Sequence, residues 1–381
     1  MNKKIYNIWL SQAPGITPRG AWYLYKKYAS IEKIYQMPRA EIVDFFQSIE
    51  GTLGSGFIRN HDAQEWERYK DKITEVEKYY EKISKKNVQV LTPDQELFPK
   101  RLREIDDCPI VLYAKGKVDF SKPAIGIVGS RRASDYGKAM ARYFAKELAS
   151  FGINIVSGLA YGIDVNAHIG CIEEGYNTTA VLGGGLHACY PKRHEKYFNE
   201  IQQMGSVLSE EPYGRKVEPY MFPKRNRIIS GISEGVIVIE AAKKSGSLIT
   251  SDFALEQGRE VFAVPGRLFD TLSEGSNALI KQGAKAVFDV DDVLNELSGY
   301  VQKQVGQKED SEKKLEEIEK IVYSCISYDP VHMEQILQQL HGQKSNECML
   351  RQDEIMMILL KLELKGFIEK KSGCYYTRLE V

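Results

Sequence analysis

Four times between residues 124 and 250 an apolar run of strand-forming residues gives way to a loop of glycine, serine and other small residues. The four are AIGIVGSRR (124–132), INIVSGLAYGID (153–164), TTAVLGGG (178–185) and VIVIEAAKKSGSLIT (236–250). Fully apolar runs suit strands buried on both faces, and the stretches between them read as helices. Met140, Phe144, Leu148 and Phe151 recur at spacings of four, four and three, one face of a helix. Strands read at 125–128, 153–156, 179–182, 207–208, 236–239 and 261–264. Repeated βα units of this kind predict an α/β fold, an extended Rossmann-like parallel sheet with helices on both faces. In such a sheet the small-residue loops gather at the carboxyl edge, where backbone N–H groups and helix N-termini face an anion. Phosphate is the expected guest.

The pattern changes on either side of this sheet. Residues 1–95 read as a helical domain (SAM or helix-hairpin-helix-like), with a charged helical run over 62–86. Its segment Ala13-Pro14-Gly15-Ile16-Thr17 is either a plain helix–helix turn or a phosphate-binding hairpin. Residues 96–298 form the Rossmann-like domain, and 299–316 a polar linker. Residues 317–381 read as three helices and a hairpin, a winged helix. A chain of 381 residues, 43% of them apolar, has ample material for such cores.

Composition removes several classes of function. No apolar run reaches the roughly 18 to 20 residues that span a bilayer, and no signal-peptide pattern opens the chain, so a cytoplasmic protein without membrane contact is expected. Six cysteines lie far apart with no C-x-x-C pair, which argues for free thiols. The charges balance at 52 basic and 52 acidic residues, so contact with nucleic acid must use local clusters. The last 91 residues (291–381) hold 12 Lys and Arg against 17 Asp and Glu, a poor DNA-binding surface.

The candidate binding residues follow from the loops. Gly129 permits close backbone approach, Ser130 adds a hydroxyl and Arg131 a fork suited to phosphate oxygens. Ser157 and Gly158 open a long strand-to-helix turn that ends at Asp164, read as a helix N-cap. Ser245, Gly246 and Ser247 form a helix-start cluster that suits phosphate. Phe222-Pro223-Lys224-Arg225-Asn226-Arg227 sets three cations and an amide beside an aromatic ring, just before a helix. Cations can hold consecutive phosphates while an exposed ring stacks a base, the combination used for single strands.

Enzymatic readings have less support. There is no P-loop signature, and the Gly129 loop is not G-x-G-x-x-G. No cofactor is expected. His187, Cys189 and His194 lack a completing ligand set for a metal, and Ser247 and Thr250 have no paired base. Glu240, at a strand end, is the one candidate general base, for N-glycosidic cleavage of a nucleotide.

Taken jointly, GIVGSR (126–131), SGLAYGID (157–164), Tyr190-Pro191, PKRNRIISGIS (223–233), EAAKKSGSLIT (240–250) and VFAVPG (261–266) resemble the DNA-processing protein A family, also called Smf, over residues 98–297. The resemblance implies a non-enzymatic single-stranded DNA-binding protein of natural transformation. It also implies a homodimer that protects incoming strands, relieves exclusion by single-strand binding protein and loads the RecA recombinase for homologous recombination. Carried over by position, Arg131 and the 224–227 cluster would hold the DNA backbone, as would Lys192 after Tyr190-Pro191. His194 stands where the family commonly has Asn. The dimer is expected to form around 268–287, through Leu272, Leu279 and Ile280.

Overall fold

A computed structural model describes residues 2–28, 30–53, 56–57, 68–297, 317–342 and 351–379. Its centre is a nine-stranded sheet: β1 Gln89–Leu91, β2 Leu112–Gly116, β3 Ala124–Val128, β4 Asn154–Ser157, β5 Thr178–Leu182, β6 Ser206–Ser209, β7 Gly235–Val238, β8 Glu260–Ala263 and β9 Lys285–Ala286. The spatial order is β1-β2-β6-β5-β4-β3-β7-β8-β9. From β6 to β9 every neighbouring pair is parallel, while β1 and β2 add an antiparallel edge. The chain builds outward from β3 to β6, then returns to the other side of β3 with β7. That reversal makes β3 and β7 the switch point of the sheet, where open α/β folds keep their ligand crevice.

Alternation along each strand divides the apolar residues between two cores, because successive side chains point to opposite faces. Ile125, Ile127, Ile155, Ile237 and Phe262 join one core with Phe144 and Leu148 of the helix Asp135–Ser150. Val128, Val156, Val236, Val238 and Ala263 join the other, with Ile228 and Ile229 of the helix Met221–Ile232. The second core runs on without a break into the N-terminal helices through Trp9, Trp22, Phe46 and Phe57. The Tyr213 backbone N–H donates to Tyr79 Oη at 2.7 Å across the same junction.

Two details depart from the sequence reading. The sheet begins at Gln89, inside the stretch assigned to the helical domain, because β1 pairs with β2 in register Leu91 to Leu112. Strands β1, β2 and β9 lie outside the expected set: β1 and β9 are edge strands of three and two residues, and β2 lies between β1 and β6. Of the expected run over 62–86, residues 62–67 lie outside the described residues, and the helix there is Ile73–Ser84. The turn at 13–17 ends in Thr17, whose hydroxyl donates to Gly56 O (2.7 Å) and accepts from the Gly20 N–H (3.1 Å), fixing the start of the helix Pro18–Tyr28.

After the linker, mostly outside the described residues, come helices Glu317–Ser324, Met333–Gly342 and Gln352–Leu364. They pack with an antiparallel sheet of β10 Val331–His332, β11 Ile368–Lys371 and β12 Tyr375–Arg378, in the order β10-β12-β11. A separate core of Val322, Ile336, Ile355, Leu359 and Phe367 holds this unit together. It rests on the large sheet's carboxyl edge through Lys371 and Asp135 (3.5 Å), Tyr328 and Tyr136 (ring centroids 6.3 Å apart), and an Asp329–Arg267 ion pair.

Candidate nucleic-acid interface

At the switch point the loops after β3 and β7 part around a cleft of about 570 Å³. Gly129, Ser130, Arg131 and Arg132 line one wall, and Ser245, Gly246, Ser247 and Thr250 another. Phe222, Arg225 and Asn226 close it from the helix Met221–Ile232, with Ala160 from the loop after β4 and Asp164 from the helix Ile163–Glu173 that follows. The helix Leu248–Glu256 starts at this wall without a side-chain cap, so its N-terminal dipole end is directed at the cleft.

The walls are held by specific bonds. Ser130 N–H donates to Glu240 O (2.7 Å), and Ser130 O accepts from Ile163 N–H (3.2 Å), which ties the β3 loop to its neighbours on both sides. Ser130 Oγ accepts from the Arg132 N–H. The hydroxyls of Ser245 and Ser247 meet at 2.7 Å, and the Asn226 amide donates to Gly246 O at 3.3 Å. A Cβ on Gly129 would collide with Ile163 and Glu240 O, so the glycine is required for loop packing rather than for ligand approach.

Arg225 is the structural centre of the cleft. Only 5% exposed, its guanidinium donates to Gly158 O (2.8 Å) and to Val181 O, joining the ends of β4 and β5. A side chain on Gly158 would run into that guanidinium. Burial pushes the arginine down to about 10, with Asp164 opposing the fall and Arg131 adding to it. It remains charged at neutral pH. Asp164 is raised by burial against the pull of Arg225 and of the Ala160 and Gly158 N–H groups. Two guanidinium groups thus face one carboxylate, and the local balance is positive.

The side chains expected at the cleft separate by helix rotation. The helix begins at Met221, so the 224–227 cluster lies within its first turns and not ahead of it. Consecutive residues there point about 100° apart. Arg225 and Asn226 face the cleft. Lys224 and Arg227 face away, which corrects their assignment to the DNA backbone. Arg227, 2% exposed, pairs through Nη2 with Glu210 (2.7 Å) and through Nε with Asp107 (3.0 Å). Lys224 reaches Glu210 (3.1 Å) and Glu211 (3.0 Å). Burial alone would raise Glu210, but Arg227 and Lys224 outweigh it and hold the carboxyl below its usual range.

Other expected residues take supporting positions. Ser157 is buried, and its hydroxyl donates to Ile127 O (2.6 Å). Asp164 is not the N-cap: Gly162 is, at φ 75°, and Asp164 sits in the first turn, reaching back to the loop's own N–H groups. Leu159 is buried at φ 54°, a conformation disfavoured for a side-chain-bearing residue. Its carbonyl is bonded to His194 Nδ1 at 2.9 Å, so the departure at 194 still supplies an N–H donor to the turn. Cys189 Sγ donates to Pro191 O, and His187 packs on Tyr213. Lys192 is exposed beyond Tyr190, and the Tyr190 ring packs on Phe222 in a tilted contact with centroids 5.5 Å apart. Tyr190 and the exposed pair Lys243 and Lys244 enter the sequence reading only as parts of the motifs Tyr190-Pro191 and EAAKKSGSLIT, without a binding role.

Glu240 does not open onto the cleft. Both carboxylate oxygens bond to Ser134, one to its N–H at 2.9 Å, at the head of the helix Asp135–Ser150. Burial raises its pKa, and the Ser134 bonds counter that. In the expected dimer segment the residues alone allow either inward packing or contact with a partner; Leu279, 5% exposed, packs into the core with Ile280 half-buried beside it, so Leu279 takes the inward alternative. The residues left outward in that segment and next to it are Leu268, Phe269 and Phe288.

A doubly wound sheet with an uncapped helix N-terminus, a Gly-Ser-Arg turn and a buried arginine at its switch point places the protein in the Rossmann-like class of α/β folds. The sequence profile of the DNA recombination-mediator protein A family matches residues 89–298, and the chain belongs to that family. DNA processing protein DprA of Bacillus subtilis is 42% identical over 232 residues, covering 58% of this chain and 78% of the relative. The X-ray structure of DNA processing protein A from Streptococcus pneumoniae superimposes with a TM-score of 0.63 at 32% identity, over 78% of this chain and 99% of that one. The Helicobacter pylori protein, described for its single-stranded DNA binding mode, gives 0.50 at 31% identity over 55% and 95%. Among the described residues, no helix is long and apolar enough to cross a membrane.

Proposed function

We propose that the protein binds single-stranded DNA in the switch-point cleft, protects strands entering by natural transformation, relieves their exclusion by single-strand binding protein and loads a RecA recombinase onto them. The observation that carries this reading is the convergence of Arg131, Arg225, the Ser245–Gly246–Ser247 turn and a helix N-terminus on one cleft with Phe222 at its wall. Such a site offers phosphate contacts and a ring, and the carboxylate in its lining, Asp164, is opposed by Arg225 and Arg131; the role proposed is binding without chemistry. Membership of a recombination-mediator family and the single-strand binding described for the Helicobacter pylori relative support it. The reading includes a homodimer, for which Leu268, Phe269 and Phe288 are the outward apolar residues.

Binding of single- and double-stranded oligonucleotides across a salt series, with a mononucleotide hydrolysis assay alongside, tests the proposal. Preference for single strands, a salt slope of several phosphates and no turnover are expected. Preference for duplex, or release of a base or ribose phosphate, overturns it.

A further inference from the structure

We infer that the bound strand leaves the cleft across the loops after β4 and β5, where Tyr161 and Tyr190 stack bases and Lys192 and Arg193 hold the adjoining backbone. The inference rests on the single-strand reading above and adds a direction to it. Two separate features of the cleft's surroundings carry it.

The first is a pair of braced, outward rings. Phe222 is contacted by the Arg131 guanidinium at 5.2 Å and by Tyr190 at 5.5 Å, so the ring presented to solvent is Tyr190, 54% exposed. Tyr161, 44% exposed, is supported edge-on at 4.9 Å by buried His194, which is itself tied to Leu159 O. A much smaller pocket lined by Tyr190 adjoins the cleft and shares Ala160, Phe222 and Arg225 with it. Rings held by buried neighbours lose little freedom when a base stacks on them, and stacking accepts any base. Lys192 and Arg193, on the same loop as Tyr190, are exposed and make no ion pair among the described residues.

The second is the opposite flank, which is occupied. There the C-terminal unit sits against Asp135, Tyr136 and Arg267 through Lys371, Tyr328 and Asp329. At that rim Asp329 is paired with Arg267 and Glu369 with Lys371, and the last 91 residues are net acidic. A phosphate backbone turned that way meets a rim whose Arg267 and Lys371 are already paired with carboxylates, whereas the tyrosine side offers Lys192, Arg193 and two rings.

Oligothymidylates of about four and about sixteen nucleotides separate cleft from path. Tyr161→Ala and Tyr190→Ala are each expected to weaken the longer strand about fivefold or more while leaving the shorter one within about twofold. Tyr→Phe at either position should retain wild-type binding. An oligonucleotide carrying 5-iodouridine should crosslink to Tyr161 or Tyr190 on irradiation. Unchanged length dependence in both alanine variants, or crosslinks confined to the 267–272 loop and the C-terminal unit, overturns the path and leaves the cleft standing. Failure of the wild type to bind any length overturns the cleft reading and the path with it.

Discussion

Two faces of one helix, Met221–Ile232, carry arginines two residues apart with opposite surroundings. Arg225 is turned to the cleft, bonded to carbonyls of two strand-end loops and opposed by one buried carboxylate, Asp164. Arg227 is turned to the back and matched by Glu210 and Asp107. Both are almost fully buried. The first leaves positive charge for a ligand; the second has its charge consumed within the fold. Burial and charge do not by themselves mark a binding residue, and the count of carboxylates around each guanidinium does.

Substituting the two arginines is the most direct way to break this contrast. Arg225→Ala should lower stability by about 3 kcal/mol, because it strands Asp164 and two carbonyls in the interior, and the folded fraction should lose tenfold or more (about 1.4 kcal/mol) in single-strand affinity. Arg227→Ala should cost a similar about 2 to 3 kcal/mol by leaving Glu210 buried with only Lys224, yet its folded fraction should bind as the wild type does. Thermal unfolding and fluorescence anisotropy on the same samples check both. Equal loss of affinity in the two would erase the distinction.

A pH series sharpens the description of the cleft side. His168, buried behind the cleft with Nδ1 at 2.8 Å from Thr178 Oγ1, is lowered to about 3 by burial first and then by Arg225 and His194. Its folded pKa lies below its ordinary value, so its contribution is full above about pH 6.5 and is lost as pH falls towards 3. Stability should drop by up to about 1 kcal/mol per pH unit across that window, and His168→Gln should flatten the slope. An unaltered slope in a folded variant removes His168 as the source.

Smaller effects are expected at the rim. Arg131→Ala should change stability by no more than about 0.5 kcal/mol, since the side chain is exposed, but should reduce the magnitude of the salt slope by about 0.7, as loss of one single-strand phosphate does. Deleting residues 301–381 should change stability of the remaining body by no more than about 1 kcal/mol, because the ion pairs that join the unit to it, Lys371–Asp135 and Asp329–Arg267, are at the surface. Single-strand affinity should fall by less than about tenfold. A greater loss would make the acidic unit a DNA-binding module.

Much of the architecture was legible because buried parallel strands need uninterrupted apolar runs. The runs at 125–128, 179–182 and 261–264 fall within a residue of β3, β5 and β8. The short strands β1 and β9 carry no such run, whereas β2 follows from the run Ile110 to Ala114, which was legible and went unread. The strand-end loops were legible for a similar reason: close packing at Gly129 and Gly158 admits no side chain, and that demand is written as glycine. Site residues within those loops were identified as chemical types, but their roles divided. Ser130, Arg131 and the 245–247 turn line the cleft, whereas Ser157 spends its hydroxyl on Ile127 O.

The amino-acid order alone determined the parallel α/β sheet, its glycine- and serine-rich carboxyl edge and the presence of cations and an aromatic ring beside it, because backbone geometry and local steric demand leave periodic marks. It could not decide which of those cations faces a ligand. Glu210, Glu211 and Asp107, which neutralise Lys224 and Arg227, are brought to the back of the helix from other loops. Helix rotation divides the four-residue cluster between two environments. Only the folded chain, by setting those carboxylates on one side and leaving Asp164 alone on the other, made one arginine part of the cleft and the other part of the frame.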